Sequence, residues 1–277
     1  MHSSDKNTLN PFVSEEASEN YANADFLYEQ SARNAVEFYK PLDPSLRIAD
    51  LGAGTGVSTK ILLESGIQGV VLIDPSAAML QQAEKKFASR ATYIQASAEN
   101  FASHFNQDLD LIYALNCFHL FADLTKVLEQ IKKASANNAH FIFNVSMPSF
   151  CFGDLLPDEY LCVKANRDFY FNLASHSDSP LILNTVKLFD RLLANDFDGL
   201  VGKRSMELML DFHNLKLNKY AEFAIEGDAA AQKIIWELVS TCLIPDKAER
   251  QDFINQQELP EKMFFRQAFF DILVNND

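Results

Sequence analysis

Ile48-Ala49-Asp50-Leu51-Gly52-Ala53-Gly54-Thr55-Gly56 decides the fold: an apolar run enters three alternate glycines, and a helix-compatible stretch over 56–65 follows at once. Glycine lets a backbone turn tightly and approach a ligand with no Cβ in the way. Outward from this turn, short apolar runs at 69–74, 92–95, 109–115 and 139–146 alternate with helical spacing at 77–90 and 123–135. With 47–51 as the first strand, the order is β-α-β-α-β and onward. That order calls for a parallel sheet with helices on both faces.

The flanks read differently. Apolar residues between 14 and 39, among them Ala24, Tyr28, Ala32 and Val36, recur at helical spacing and stop before Pro41, so one or two helices precede the core. After Ser146 the alternation ends. Residues 148–203 are rich in Phe, Tyr and Leu, with helical spacing at 155–173 and 181–193, and are expected to form a helical insertion. The tail offers a short helix (206–213), a strand (215–225), a helix (229–243) and a last strand (264–274). The expected units are thus 1–40, a leader and N-terminal helical lid; 41–147, the core; 148–203, the insertion; and 204–277, which completes the sheet.

Composition excludes several classes. The chain has 277 residues, 48% hydrophobic and 22% charged, enough for one buried core and a substantial extra element. Its longest apolar runs fall short of the roughly 20 residues that span a bilayer, so no membrane partner is expected. The start, MHSSDKNTLN, lacks the apolar stretch of a secretory signal and reads as a disordered leader, with a cytoplasmic location expected by default. Cys117, Cys151, Cys162 and Cys242 form no Cys-x-x-Cys pair, so neither a zinc site nor a disulfide framework is expected. A net charge of -14 and a pI near 4.8 disfavour nucleic acid as a partner.

Dinucleotide enzymes space their turn Gly-x-Gly-x-x-Gly, whereas this turn is Gly-x-Gly-x-Gly with Asp50 two residues ahead. On these residues the chain resembles the class I S-adenosylmethionine (SAM)-dependent methyltransferases, in particular their small-molecule branch. The resemblance implies a Rossmann-like, seven-stranded, mostly parallel sheet with helices on both faces, and SAM as cofactor with S-adenosylhomocysteine as product; no metal-ligand cluster stands out in the sequence, so no metal is expected. It implies that Gly52, Ala53, Gly54 and Gly56 pack on the methionine part of SAM, with Asp50 anchoring the turn. Asp74, in Val70-Val71-Leu72-Ile73-Asp74-Pro75-Ser76, matches the acid that receives both ribose hydroxyls; a carboxylate accepts two hydrogen bonds at once. Pro75 and Met79 fall where the family contacts adenine. Ala96-Ser97-Ala98-Glu99 stands for the usual Gly-Asp-Ala-Glu, with Ser97 in place of the Asp. The run Asp110 to Leu120 ends the fourth strand with Asn116 and His119, and Leu120 stands where Trp is common. The lid residues of the family correspond to Tyr21, Tyr28 and Arg33.

The chemistry of SAM demands mainly alignment of a nucleophile and exclusion of water. If a base is needed, His119 is the candidate by motif position, with His176 and His213 more distant. The residues Asn116-Cys117-Phe118-His119 lack the Pro-Pro-aromatic sequence used for methylating base amino groups, and the cysteines show no metalloid-binding pattern. The insertion carries Phe150, Phe152, Tyr160, Phe169, Tyr170 and Phe171. With Arg167 supplying a charge, Phe150, Tyr170 and His119 are the expected acceptor pocket, for a small apolar or aromatic molecule. The competing reading gives these aromatics to the insertion's own core or a dimer face. A monomer or homodimer fits. The alternatives to a methyltransferase are a non-catalytic SAM-fold scaffold and an NAD-dependent oxidoreductase.

Overall fold

The computed structural model describes residues 25–146, 150–176, 180–241, 243–244 and 246–275. Tyr21, Cys242, the leader, the first part of the 14–39 helix and the junction at 147/148 lie outside them. The strands are β1 (Ile48–Leu51), β2 (Val70–Asp74), β3 (Ala91–Gln95), β4 (Leu109–Ala114), β5 (Ser135–Ser146), β6 (Lys216–Asp228) and β7 (Lys262–Val274). The helices are α1 (Asp25–Tyr39), α2 (Val57–Glu64), α3 (Ala77–Phe87), α4 (Leu124–Ala134), α5 (Pro157–Leu173), α6 (Pro180–Leu193), α7 (Lys203–Phe212), α8 (Ala229–Ser240) and α9 (Lys247–Asn255).

One seven-stranded sheet runs β3-β2-β1-β4-β5-β7-β6. The first five strands are parallel, and β7 lies antiparallel between β5 and β6. All four residues of β1 are buried, as a parallel strand covered on both faces requires. The alternation of side chains sorts the core into two layers. Ala49, Leu51, Ile112, Phe141 and Phe143 face α4 and α7. Ile48, Val70, Leu111, Tyr113 and Ile142 face α1 and α2. The strand order reverses between β1 and β4, which opens a crevice at the carboxyl ends of these strands.

A second cluster joins α5 and α6 to α8 and α9. Phe169 stacks on Trp236, with ring centroids 4.6 Å apart and planes 3° from parallel, and Phe253 packs at 5.8 Å. Asn166 Oδ1 accepts from Trp236 Nε1 (2.9 Å) and Gln232 Nε2 (3.1 Å). The helical layer is therefore drawn from both 148–203 and 204–277, and the boundary expected at 203/204 cuts through its core. Helix α9 escapes the sequence reading because KAERQDFIN is too polar and short to show a periodic stripe; its start is fixed by the Asp246 side chain, which accepts from Glu249 N at 2.8 Å.

Candidate active site

The glycine turn is built against the ends of β2 and β4. Gly52 N donates to Ile73 O (2.8 Å) and Gly54 N to Asp74 Oδ2 (2.9 Å), while Ser76 N donates to Asp74 Oδ1 (2.8 Å). Gly52 and Gly56 have φ of +69° and +84°, which L side chains rarely adopt. A Cβ on Gly52 would stand 2.7 Å from Cys117 Sγ, and one on Gly56 would stand 2.4 Å from Phe87 Cε2. At these two positions the glycines make room for protein atoms. The sequence alone suggests that this room serves a ligand, since nothing in the chain order places Cys117 and Phe87 behind the turn.

The two acids of the turn are buried. Asp50 accepts from Thr59 Oγ1 at 2.8 Å, and burial pushes its pKa up to about 6, with the Thr59 bonds opposing. Burial also raises the Asp74 carboxyl, opposed by the bonds from Ser76 and Gly54. Thr55 Oγ1 donates to Asp25 Oδ1 (2.8 Å), and Asp25 pairs with Lys86 (2.5 Å), so the start of α1 is tied to the turn and to α3.

Beyond Asp74, Pro75 is exposed, Met79 is buried with its N–H bonded to Ser76 Oγ (3.3 Å), and Ala96 N bonds Asp74 O (3.3 Å). Ser97 Oγ accepts from Asn100 Nδ2 at 3.2 Å, and Ala98 is buried. Glu99 Oε1 accepts from Ala122 N at 3.1 Å, which ties the end of β3 to the turn that carries His119. His119 is exposed on that turn; the protein atoms around the ring lower its pKa by desolvation, and the exposed surface argues that the effect is modest.

Asn116, with φ of +57°, ends β4 inside a polar cluster that sequence reasoning missed. Its N–H donates to Asn144 Oδ1 (2.6 Å), and its Oδ1 accepts from Asn144 Nδ2 (3.0 Å) and Gln267 Nε2 (2.9 Å). Ser31 Oγ on α1 accepts from Asn144 Nδ2 at 2.9 Å. The available signal was a lone amide in each of two apolar runs, Phe141-Ile142-Phe143-Asn144-Val145 and Gln267-Ala268-Phe269-Phe270.

Four expected site residues are not brought to this crevice. Arg33 pairs with Glu64 (3.3 Å) and Glu29 (3.7 Å); two positions from Ser31 on one helix, it points to the other side. Phe150 is buried in the sheet core against Phe270. Tyr170 packs on Phe169 and Phe189, where burial pushes its hydroxyl pKa up to about 12. Arg167 pairs with Asp190 (2.8 Å) and Asp168 (3.2 Å) and lies 4.8 Å over the Phe171 ring. Phe150, Phe169 and Tyr170 thus serve packing, whereas Tyr160 and Phe171 are exposed.

Residues 48–138 match the family profile described as "Methyltransferase domain". The chain is 30% identical over 132 residues to a probable S-adenosylmethionine-dependent methyltransferase of Saccharomyces cerevisiae, a match that covers 46% of this chain and 44% of the yeast protein. The chain thus spans under half the length of that curated relative. Among solved structures, Haemonchus contortus phosphoethanolamine N-methyltransferase 2 in complex with S-adenosyl-L-methionine aligns with a TM-score of 0.56 at 14% identity, over 95% of this chain and 57% of that one. Geranyl diphosphate C-methyltransferase from Streptomyces coelicolor A3(2) aligns with a TM-score of 0.51 at 11% identity, over 96% and 86%. At such identities these two likenesses establish the fold, the one expected from the glycine turn. Among the described residues no helix is long and apolar enough to cross a membrane.

Proposed function

We propose that this chain, which belongs to the class I S-adenosylmethionine-dependent methyltransferases, transfers a methyl group from that cofactor to a small organic acceptor. The observation that carries the reading is the Asp74 carboxylate. Its two oxygens accept from Gly54 N and Ser76 N, yet an ionised carboxylate offers about four lone-pair positions. The remaining positions, at the carboxyl end of β2 beside the glycine turn, suit the two hydroxyls of a ribose.

In this reading Gly52, Ala53, Gly54 and Gly56 line the methionine part, with Asp50 holding the turn through Thr59. Pro75, Met79, Ser97, Ala98 and Glu99 border the adenine, and Asn116 closes the end of β4. SAM supplies a methyl carbon on a sulfonium, primed for in-line displacement. The protein then orients the acceptor and excludes water. Where the acceptor has to lose a proton, His119, exposed on the turn after β4, is the candidate to take it. A small acceptor is supported by the named substrates of the two structural neighbours and by the net charge of -14, which repels a polyanion. With Phe150, Tyr170 and Arg167 engaged elsewhere, the acceptor's apolar or aromatic character has lost its support from these residues.

Calorimetric titration with SAM and, separately, NADH tests the cofactor, with micromolar or tighter heat expected for SAM only. Heat from NADH alone overturns the reading. SAM binding with no S-adenosylhomocysteine formed on a broad acceptor panel leaves a scaffold protein instead.

A further inference from the structure

The amides of the Asn116 cluster can be oriented from one fixed point. A backbone N–H only donates, so the Asn144 atom 2.6 Å from Asn116 N is Oδ1. Asn144 then presents Nδ2 to the Asn116 side chain, whose near atom at 3.0 Å is therefore Oδ1. The Gln267 atom 2.9 Å from that same oxygen must be a donor, Nε2. What remains is Gln267 Oε1, buried and without a hydrogen-bond partner among the described residues, on a residue only 4% exposed. Leaving a buried acceptor unpaired costs about 1–3 kcal/mol, and native proteins rarely do so without a reason.

Its place in the sheet supplies one. Gln267 pairs with Ser146, the last residue of β5, so it stands at the carboxyl edge where the crevice opens. Through Asn116 it is one step from Cys117, whose thiol touches the glycine turn and donates to Leu51 O at 3.2 Å. Asp74 lies on β2, on one side of that turn. Strand β7 lies two places beyond β4 on the other side, each place about 4.8 Å. A ribose held on Asp74 would stand four strand places, roughly 19 Å, from Gln267, which leaves the Gln267 side of the crevice to the reacting partner.

We propose that Gln267 Oε1 recognises the methyl acceptor by taking a hydrogen bond from an N–H or O–H of that molecule, with Ser31, Asn116 and Asn144 as its positioning residues. The proposal rests on the methyltransferase reading above. Ser31 Oγ on α1 accepts from Asn144 Nδ2 at 2.9 Å and so helps to fix the amides that hold Gln267.

The test uses Gln267→Met, which keeps the length of the side chain and removes the oxygen, and Gln267→Asn, which keeps the amide on a shorter arm. The probes are two pairs, ethanolamine with 2-methoxyethylamine and catechol with 2-methoxyphenol. Within each pair one donor is lost while a methylatable atom stays. With full-length protein, S-adenosylhomocysteine formation, SAM affinity and melting temperature are measured together. The wild type is expected to prefer the donor-rich member of a pair at least tenfold, roughly the worth of one buried hydrogen bond. Both variants are expected to lose that preference about tenfold and to hold SAM within about twofold, and Gln267→Met to melt no lower than wild type. Equal turnover of both members by the wild type, an unchanged preference in the variants, or no product from any probe while SAM binds overturns the proposal. A lower melting temperature in both variants with turnover intact makes Gln267 purely structural and overturns it too. If the wild type does not bind SAM, the methyltransferase reading itself has failed.

Discussion

The glycine turn and the helical layer both bury polar groups inside apolar cores, and they pair them over different spans of chain. In the turn, Asp50 meets Thr59 nine residues on, and Asp74 meets Gly54 twenty residues back. In the helical layer and its sheet contacts, Glu159 meets Arg266 at a separation of 107 residues, and Asn166 meets Trp236 at 70. A short-range pair is specified by a motif that can be read in one line of sequence. A long-range pair exists only after two elements have docked. The turn is therefore expected to be sensitive in ligand affinity, and the helical layer in stability.

The largest effect expected from this contrast is at Glu159. Its side chain is fully buried, receives Arg266 Nε at 2.8 Å and caps Leu156 N at 3.0 Å. Removing one partner of a buried pair leaves the other charge uncompensated, at a cost of about 3–5 kcal/mol. Arg266 is 15% exposed in its side chain and has Glu222 at 3.5 Å, which favours the lower end. Glu159→Ala should lower the denaturant midpoint accordingly and leave SAM affinity of the folded protein unchanged. A fall in SAM affinity with stability intact would break the division between the two regions.

Next is Asp74→Ala. Charge-assisted hydrogen bonds are worth about 1.5–3 kcal/mol each before water compensates. Loss of both ribose contacts, together with the Gly54 and Ser76 bonds that shape the turn, should weaken SAM by roughly 3 kcal/mol, over a hundredfold, in calorimetry. An unchanged dissociation constant removes Asp74 from the site.

The same contrast explains how much could be read from the sequence. Asp50, the three glycines, Asp74 and the five parallel strands were legible because each is announced by residues close in the chain. Gln267 and Asn144 were not, since a single amide in an apolar strand shows its meaning only when β5, β7 and α1 are side by side. Phe150, Arg167 and Tyr170 misled for the same reason. Aromatic spacing on α5 predicts an apolar face, and only the partners on α6, α8 and α9 show that this face is already covered.

A pH series sharpens the electrostatic side of the comparison. The Asp50 carboxyl is raised from 3.8 to about 6 in the folded protein. Between these values the folded state keeps a proton that the unfolded state releases, so this group's contribution to stability is present at low pH and is lost as pH rises through about 6. At 1.36 kcal/mol per pH unit, roughly 2 kcal/mol is at stake once some water penetration is allowed. Asp50→Asn carries no such charge and can still accept from Thr59. It should therefore gain stability relative to wild type on going from pH 4 to pH 7. A difference independent of pH means that Asp50 is ionised at little cost.

The smallest effect is expected at Arg167, and it probes the helical layer where the sequence pointed most strongly to function. Its guanidinium is held by Asp190 and Asp168 and rests on Phe171, all at the surface of α5 and α6. The pairs raise its pKa, through the Asp190 hydrogen bond first, but Asp168 and Asp190 are about half exposed, at 53% and 48% of their side-chain areas. Solvent-screened pairs of this kind contribute about 0.2–1 kcal/mol, and the contact with Phe171 adds a similar amount. Arg167→Ala should accordingly lower stability by no more than about 1–2 kcal/mol, less at high salt. SAM affinity and methyl transfer to any acceptor that the wild type uses should not change, because Asp190 and Asp168 hold the guanidinium against Phe171. A tenfold loss of turnover at constant SAM affinity and melting temperature would mean that the guanidinium leaves its carboxylates to meet the acceptor. In that case the helical layer would supply recognition as well as stability, and the division between the two regions would no longer hold.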